Sequence, residues 1–202
     1  MTIDARFPFH YESPRPAPSY GATLPIPPRF YRVTDDQSFI LPCPGCRFCG
    51  QSSCIPFVVP FFGDGSTLAS NLTRERLCQH LSWRSINGRQ TLISVCDALQ
   101  DARAEVASRL AYGRTNIKLT SISTEKLRWD VMLLNGAEID VLVDLHAQHW
   151  TVFVGAMSLI SHYGLWDQLP GWVLRGAESE WFAIDYIPAD KVIKAEEENY
   201  YR

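Results

Sequence analysis

Ala177-Glu178-Ser179-Glu180-Trp181-Phe182-Ala183-Ile184-Asp185-Tyr186-Ile187-Pro188 is the stretch around which the chain is organised. Two glutamates stand two residues apart, immediately before an apolar run that reads as a buried strand. In extended backbone, residues i and i+2 project to one face, so Glu178 and Glu180 are expected side by side at the strand entrance. Like charges so placed repel, and a strand that serves only structure gains nothing from them. An isolated Glu-x-Glu reads as a solvated loop end, so the remaining residues must decide whether this pair is more.

Working outward, the composition sets the frame. A chain of 202 residues suits one domain, which can bury about 70% of its unfolded surface. Its hydrophobic share of 46% and charged share of 20% are those of a globular protein. The net charge of -3 and the lack of a basic stripe give no electrostatic footprint for nucleic acid. No apolar window is long enough for a membrane-spanning helix. Met1-Thr2-Ile3-Asp4-Ala5-Arg6 has no apolar core of a secretory signal, so the expectation is a cytoplasmic protein, with a secreted effector lacking its signal as the other case.

Eleven of the 13 prolines precede residue 61, and residues 1–28 read as an extended Pro-rich arm. Arg29-Phe30-Tyr31-Arg32-Val33-Thr34 is the first strand signal. Residues 67–83 carry a helical pattern on Leu68, Leu72, Leu77 and Leu81, with a start near Thr73. Thr91 to Val95 reads as a strand. Asp97 is placed to cap a helix through Ala98, Leu99, Ala102, Val106 and Leu110, which Gly113 stops. Asn116 to Ile122 alternates as a half-exposed strand. Two apolar runs flank Asn135-Gly136 as a hairpin-like or helix-linking turn. Thr151 to Tyr163 reads as a buried helix, Trp166 to Trp172 as an aromatic loop, and residues 194–202 as a charged tail that is frayed or helical. His146 and His149, spaced i, i+3, read as ordinary polar positions.

Cys43, Cys46, Cys49 and Cys54 form a C-x2-C-x2-C-x4-C run within residues 42–54. Thiolates at such spacing can converge on a tetrahedral zinc ion, although structural zinc sites usually draw their pairs from separated segments. Disulfides and free thiols are the alternatives. In each case the run reads as an insertion that stabilises a long loop.

Three fragments, in order, resemble the Arg–Ser–Glu class of mono-ADP-ribosyltransferases, the cholera and heat-labile enterotoxin A-chain group with its uncharacterised fungal relatives. They are Phe30-Tyr31-Arg32, Ile93-Ser94 before a helix, and Glu178-Ser179-Glu180 followed by an apolar strand and Ile187-Pro188. The resemblance spans residues 29–193. It implies an α+β domain with a split β-sandwich core and flanking helices, whose cleft takes NAD as substrate. In the family the middle motif carries further hydroxyls, which tie the site together, whereas this chain has Ser94-Val95-Cys96.

The family reaction cleaves the nicotinamide–ribose bond through an oxocarbenium-like transition state, which a carboxylate stabilises. By resemblance Glu180 is that carboxylate and Glu178 faces the acceptor, for which arginine is implied. Arg32 and Ser94 are the implied NAD-binding residues, Arg32 through a guanidinium fork suited to anionic oxygens. Two neighbouring carboxylates are expected to raise the pKa of one. The expected function is mono-ADP-ribosyl transfer to a protein acceptor, or NAD hydrolysis. Set against it is a catalytically inactive interaction module on the same fold, with or without zinc.

Overall fold

The computed structural model describes residues 25–38, 72–81, 92–144, 151–184, 187 and 191–197. The Cys-rich run, His146 and His149, and the Pro-rich arm up to residue 24 lie outside the described residues. Eight strands and four helices follow one another along the described residues. Strand β1 (Arg29–Thr34) is followed by α1 (Arg74–Leu81), β2 (Leu92–Cys96) and α2 (Leu99–Ala111). Next come β3 (Lys118–Ser123), β4 (Arg128–Leu134), β5 (Ala137–Asp144) and β6 (Thr151–Gly155). The described residues close with α3 (Ala156–Tyr163), α4 (Gly171–Ala177), β7 (Glu180–Ile184) and β8 (Val192–Glu197).

Together these make an α+β fold on one antiparallel sheet, with strand order β4-β5-β6-β7-β2-β1-β3-β8. The ladder is uneven. β2 pairs with β7 at five positions and β1 with β3 at six, but β1 meets β2 at a single position, Tyr31 opposite Cys96. Both faces of the sheet are covered. Leu159 and Ile160 of α3, and Leu77 and Leu81 of α1, pack with Phe182, Val154 and Val141. Phe30, Ile93, Val95, Ile122 and Phe153 form a second cluster. Ala102 and Val106 of α2 cover Ile117 and Leu119.

Local chemistry explains the punctuation. Asn135 and Gly136 join β4 to β5 with φ of 51° and 80°, the backbone that a two-residue hairpin turn matched to strand twist requires. Helix α2 stops where glycine permits a left-handed residue. Gly113 has φ 73°, and its N–H donates to Leu110 O at 2.9 Å while Arg114 N–H donates to Arg109 O at 3.0 Å. That pattern is a Schellman stop.

Three expectations change. Thr151 to Gly155 is a strand, not the first turns of a helix, because its β-branched and aromatic residues complete the sheet between β5 and β7. Residues 192–197 form β8 along β3 instead of a frayed or helical tail. Asp97 does not cap α2, whose N-cap residue is Ala98 with no side-chain cap bond. The Asp97 carboxylate instead accepts the Trp181 indole N–H at 3.0 Å, a donor that needs a partner when buried.

A buried ion pair ties the last residue of β5 to the residue before β8. Lys191 is paired with Asp144 and donates to Glu125 O at 2.9 Å, and both ionic side chains are buried. Removing one partner strands a buried charge. Asp144→Ala is therefore expected to cost about 3–5 kcal/mol, and adding Lys191→Met should recover most of that loss. Urea unfolding of the three variants measures both.

Candidate active site

The sheet places three of the sequence-selected residues on adjacent strands. Arg32 lies on β1, Ser94 in the middle of β2, and Glu180 at the start of β7. The pairing of β2 with β7 sets Cys96 opposite Glu180 and Ser94 opposite Phe182. Ser94 and Cys96 are two residues apart, so they share a face, and Ser94 is the diagonal neighbour of Glu180 across the ladder. Their side chains are hydrogen-bonded.

Where β1 and β2 part after their single register position, the Arg32 guanidinium closes the gap, with Nη1 donating to the Ser94 carbonyl oxygen at 2.7 Å. Burial, and then the Arg109 guanidinium, lower the Arg32 pKa to about 9, which leaves it protonated near neutrality. Arg109 is itself held between carboxylates. It donates to Asp35 Oδ2 at 3.0 Å, to Glu105 Oε1 at 2.7 Å and to Ser38 Oγ at 3.1 Å.

His80, which the sequence reading passed over, completes the group. Its Nε2 is 2.7 Å from Ser94 Oγ, and its ring meets Phe182 edge-on at 5.1 Å between centroids. Burial, followed by the Arg32 charge, pushes its pKa down to about 4, so the ring is neutral. Ser94 has one hydroxyl proton. With that proton donated to the Glu180 carboxylate, the neutral imidazole must carry its own proton on Nε2 and donate to Ser94 Oγ. The chain of donors then runs from His80 through Ser94 to Glu180. A signal for His80 did exist in sequence: it falls between Leu77 and Leu81 on the apolar stripe of α1, where a polar side chain needs a partner.

Glu180 is the group most altered by this setting. Burial of its carboxyl raises the pKa to about 7, the Ser94 hydrogen bond opposes the rise, and Glu105 adds to it. The expected cause, Glu178, is not among them. Glu178 caps α4 with helical φ -61° and ψ -36° and is exposed. Helical backbone at that position removes the side-by-side projection expected of an extended Glu-x-Glu. The second acid acting on Glu180 comes from α2 instead, as Glu105.

Cys96 stands directly across from Glu180. Burial and the acids Asp101, Asp97, Glu180 and Glu105 push its thiol up to about 12, so it is protonated and unreactive as a nucleophile. It lies 3.7 Å from Tyr31 O and 3.6 Å from Ala98 O. Behind it, Trp181 packs against Phe30 and Trp129 at 5.4 and 6.0 Å between ring centroids. Among the described residues no three His, Cys, Asp or Glu side chains converge as metal ligands, and no helix is long and apolar enough to cross a membrane.

The two shifted groups act on stability with opposite sign. Glu180 is raised from 4.5 to about 7, so its contribution is complete below pH 4.5 and is lost as pH rises through 7. His80 is lowered from 6.5 to about 4, so its contribution is present above pH 6.5 and is lost as pH falls toward 4. Glu180→Gln abolishes the first term. Relative to the native chain, that variant should gain stability between pH 5 and pH 8, by at most about 3 kcal/mol, in denaturant melts at the two pH values. Comparison with protein-family models, with curated proteins and with solved structures returns no match to this chain.

Proposed function

We propose that the chain cleaves the nicotinamide–ribose bond of NAD and passes ADP-ribose to a protein acceptor or to water, on a sheet of the ADP-ribosyltransferase kind that parts between β1 and β2. The observation that carries this reading is the convergence of Arg32, Ser94 and Glu180, with Ser94 bonded to both others. These are the residues that the resemblance to the Arg–Ser–Glu class selects.

In this reading the C1′–N bond breaks and its electron pair leaves with nicotinamide. Positive charge grows on the ribose, and the Glu180 carboxylate stabilises it while accepting a hydrogen bond from a ribose hydroxyl. The incoming nucleophile bonds C1′ and gives up a proton. Ser94 and His80 hold Glu180 in place. Arg32 joins the two strands that carry the site and supplies positive charge for the cofactor's anionic side. Glu178, exposed on the turn before β7, is open to a cationic acceptor such as arginine arriving from solvent.

One observation favours a second reading, an interaction module that keeps the fold without the chemistry. Cys96 puts a neutral thiol beside Glu180 where the family has hydroxyls. Such a module would be well folded yet give no heat of NAD binding in calorimetry.

The enzyme reading expects nicotinamide release from NAD, lowered at least about a hundredfold in Glu180→Gln. The ionised carboxylate is the working form, and its pKa is about 7. The rate should therefore fall about tenfold per pH unit on the acid side of that value and level off above it. Release no faster from the native chain than from buffer, at high NAD and with varied acceptors, removes the enzyme reading.

A further inference from the structure

We propose that Tyr163 is a positioning residue for the site, acting through α1 to hold His80 against Ser94. The proposal rests on reading Arg32, Ser94 and Glu180 as the active site, but its geometry is independent of the substrate.

Helix α1 has eight residues, well below the length at which an isolated helix is stable in water. Its pose is therefore set by what grips it. Its inward face is gripped by Leu77 and Leu81, buried among residues of α3 and the sheet. Its last turn is gripped by His80 on Ser94 Oγ. Its first turn is gripped by one residue of another helix, Tyr163, from both ends of that residue. The Tyr163 phenol donates to Leu72 O, just ahead of the helix. The Tyr163 carbonyl accepts Arg74 Nε–H at 3.2 Å. Tyr163 is the last residue of α3, so its carbonyl has no partner within its own helix and is open to such a donor. Asn135, in the β4–β5 turn, donates Nδ2–H to the same phenol oxygen at 3.4 Å. Three elements thus meet at one side chain, at the end of α1 opposite His80.

The lever arm shows why this matters for the site. Thr73 Oγ1 accepts the Arg76 N–H at 3.3 Å and begins α1. His80 lies seven positions beyond Thr73, a rise of about 10 Å. A tilt of about 6° about the clamped end moves the imidazole by about 1 Å, enough to cost a reacting group as much as about a hundredfold. A contact of 2.7 Å to Ser94 Oγ does not survive that displacement. Loosening the clamp therefore frees Ser94 to turn from Glu180, and lets water reach a ring that burial keeps neutral. Among the described residues, the charge that acts on His80 is Arg32 from β1, Glu180 from β7 is linked to it through Ser94, and Arg74, Glu75 and Arg76 lie on α1 itself. None of these is altered by replacing Tyr163 with Phe, so a change in His80 titration reports its placement.

The test uses the full chain and imidazole NMR, with the His80 signal assigned by its loss in His80→Ala. In the native protein His80 is expected to titrate near 4. In Tyr163→Phe its pKa should rise by about one unit or more toward the ordinary value of about 6.5. Arg74→Met removes only the exposed donor to the Tyr163 carbonyl and should move it the same way by less. Nicotinamide release should fall about tenfold in Tyr163→Phe, and that loss should vanish when His80→Ala is already present, as a double-mutant cycle requires of residues acting through one another. A folded Tyr163→Phe with unchanged His80 titration overturns the proposal. So does a full additive loss of activity on top of His80→Ala. If Tyr163→Phe does not fold, the Arg74→Met titration decides by the same criterion. If the titrations shift while even the native chain releases no nicotinamide, the positioning role stands and the NAD reading falls.

Discussion

The Arg32 guanidinium, seated between two strands that pair at one position only, is the interaction on which the rest of the structure depends. Side by side, β1 and β2 should exchange a full ladder of backbone hydrogen bonds. Beyond Tyr31 and Cys96 they do not, and a side chain bonds the Ser94 carbonyl oxygen instead. A buried carbonyl left without a donor would cost about 1–3 kcal/mol, so the gap persists because a cation fills it. The same cation then acts on everything nearby. After burial, it is the second cause that pushes the His80 pKa down, and it lies within reach of Arg109, whose own charge is held by Asp35 and Glu105.

This arrangement explains how a carboxylate comes to have a pKa near 7 without a carboxylate pair of the kind the Glu-x-Glu spelling suggests. Burial is the larger cause and Glu105 a smaller one, with Ser94 pulling the other way. A carboxyl so balanced changes charge near neutrality, the range in which a general base or an ion-stabilising group is most useful. Donation from His80 to Ser94 to Glu180 fixes the orientation of that carboxyl. Where the Arg–Ser–Glu resemblance leads one to expect further hydroxyls on β2, this chain uses an imidazole from α1 on the same serine, and leaves a neutral thiol beside the acid.

Much of this was legible in the residues themselves. The aromatic and β-branched run from Arg29 to Thr34, the alternation in Asn116 to Ile122, the Asn135-Gly136 turn and the Gly113 stop are local signals, and each follows from backbone preferences that need no tertiary partner. The strand at Thr151 to Gly155 was not legible as such. A short apolar run of that length fits a buried helix or a central strand equally, and only its place between β5 and β7 selects one. Glu178 was misjudged for a related reason: a two-residue spacing has a facing relation only once the backbone is known, and α4 runs on into that residue.

The sequence by itself marked out the candidate side chains: an arginine, a serine and a glutamate on three separated strand-like runs. Only the tertiary structure decided that they meet, because antiparallel pairing of β2 with β7 converts positions far apart in the chain into diagonal neighbours. It also brought in His80 and Glu105, which belong to helices and have no motif to announce them. Contact across a sheet depends on register, and register is settled by the whole hydrophobic core rather than by any one stretch.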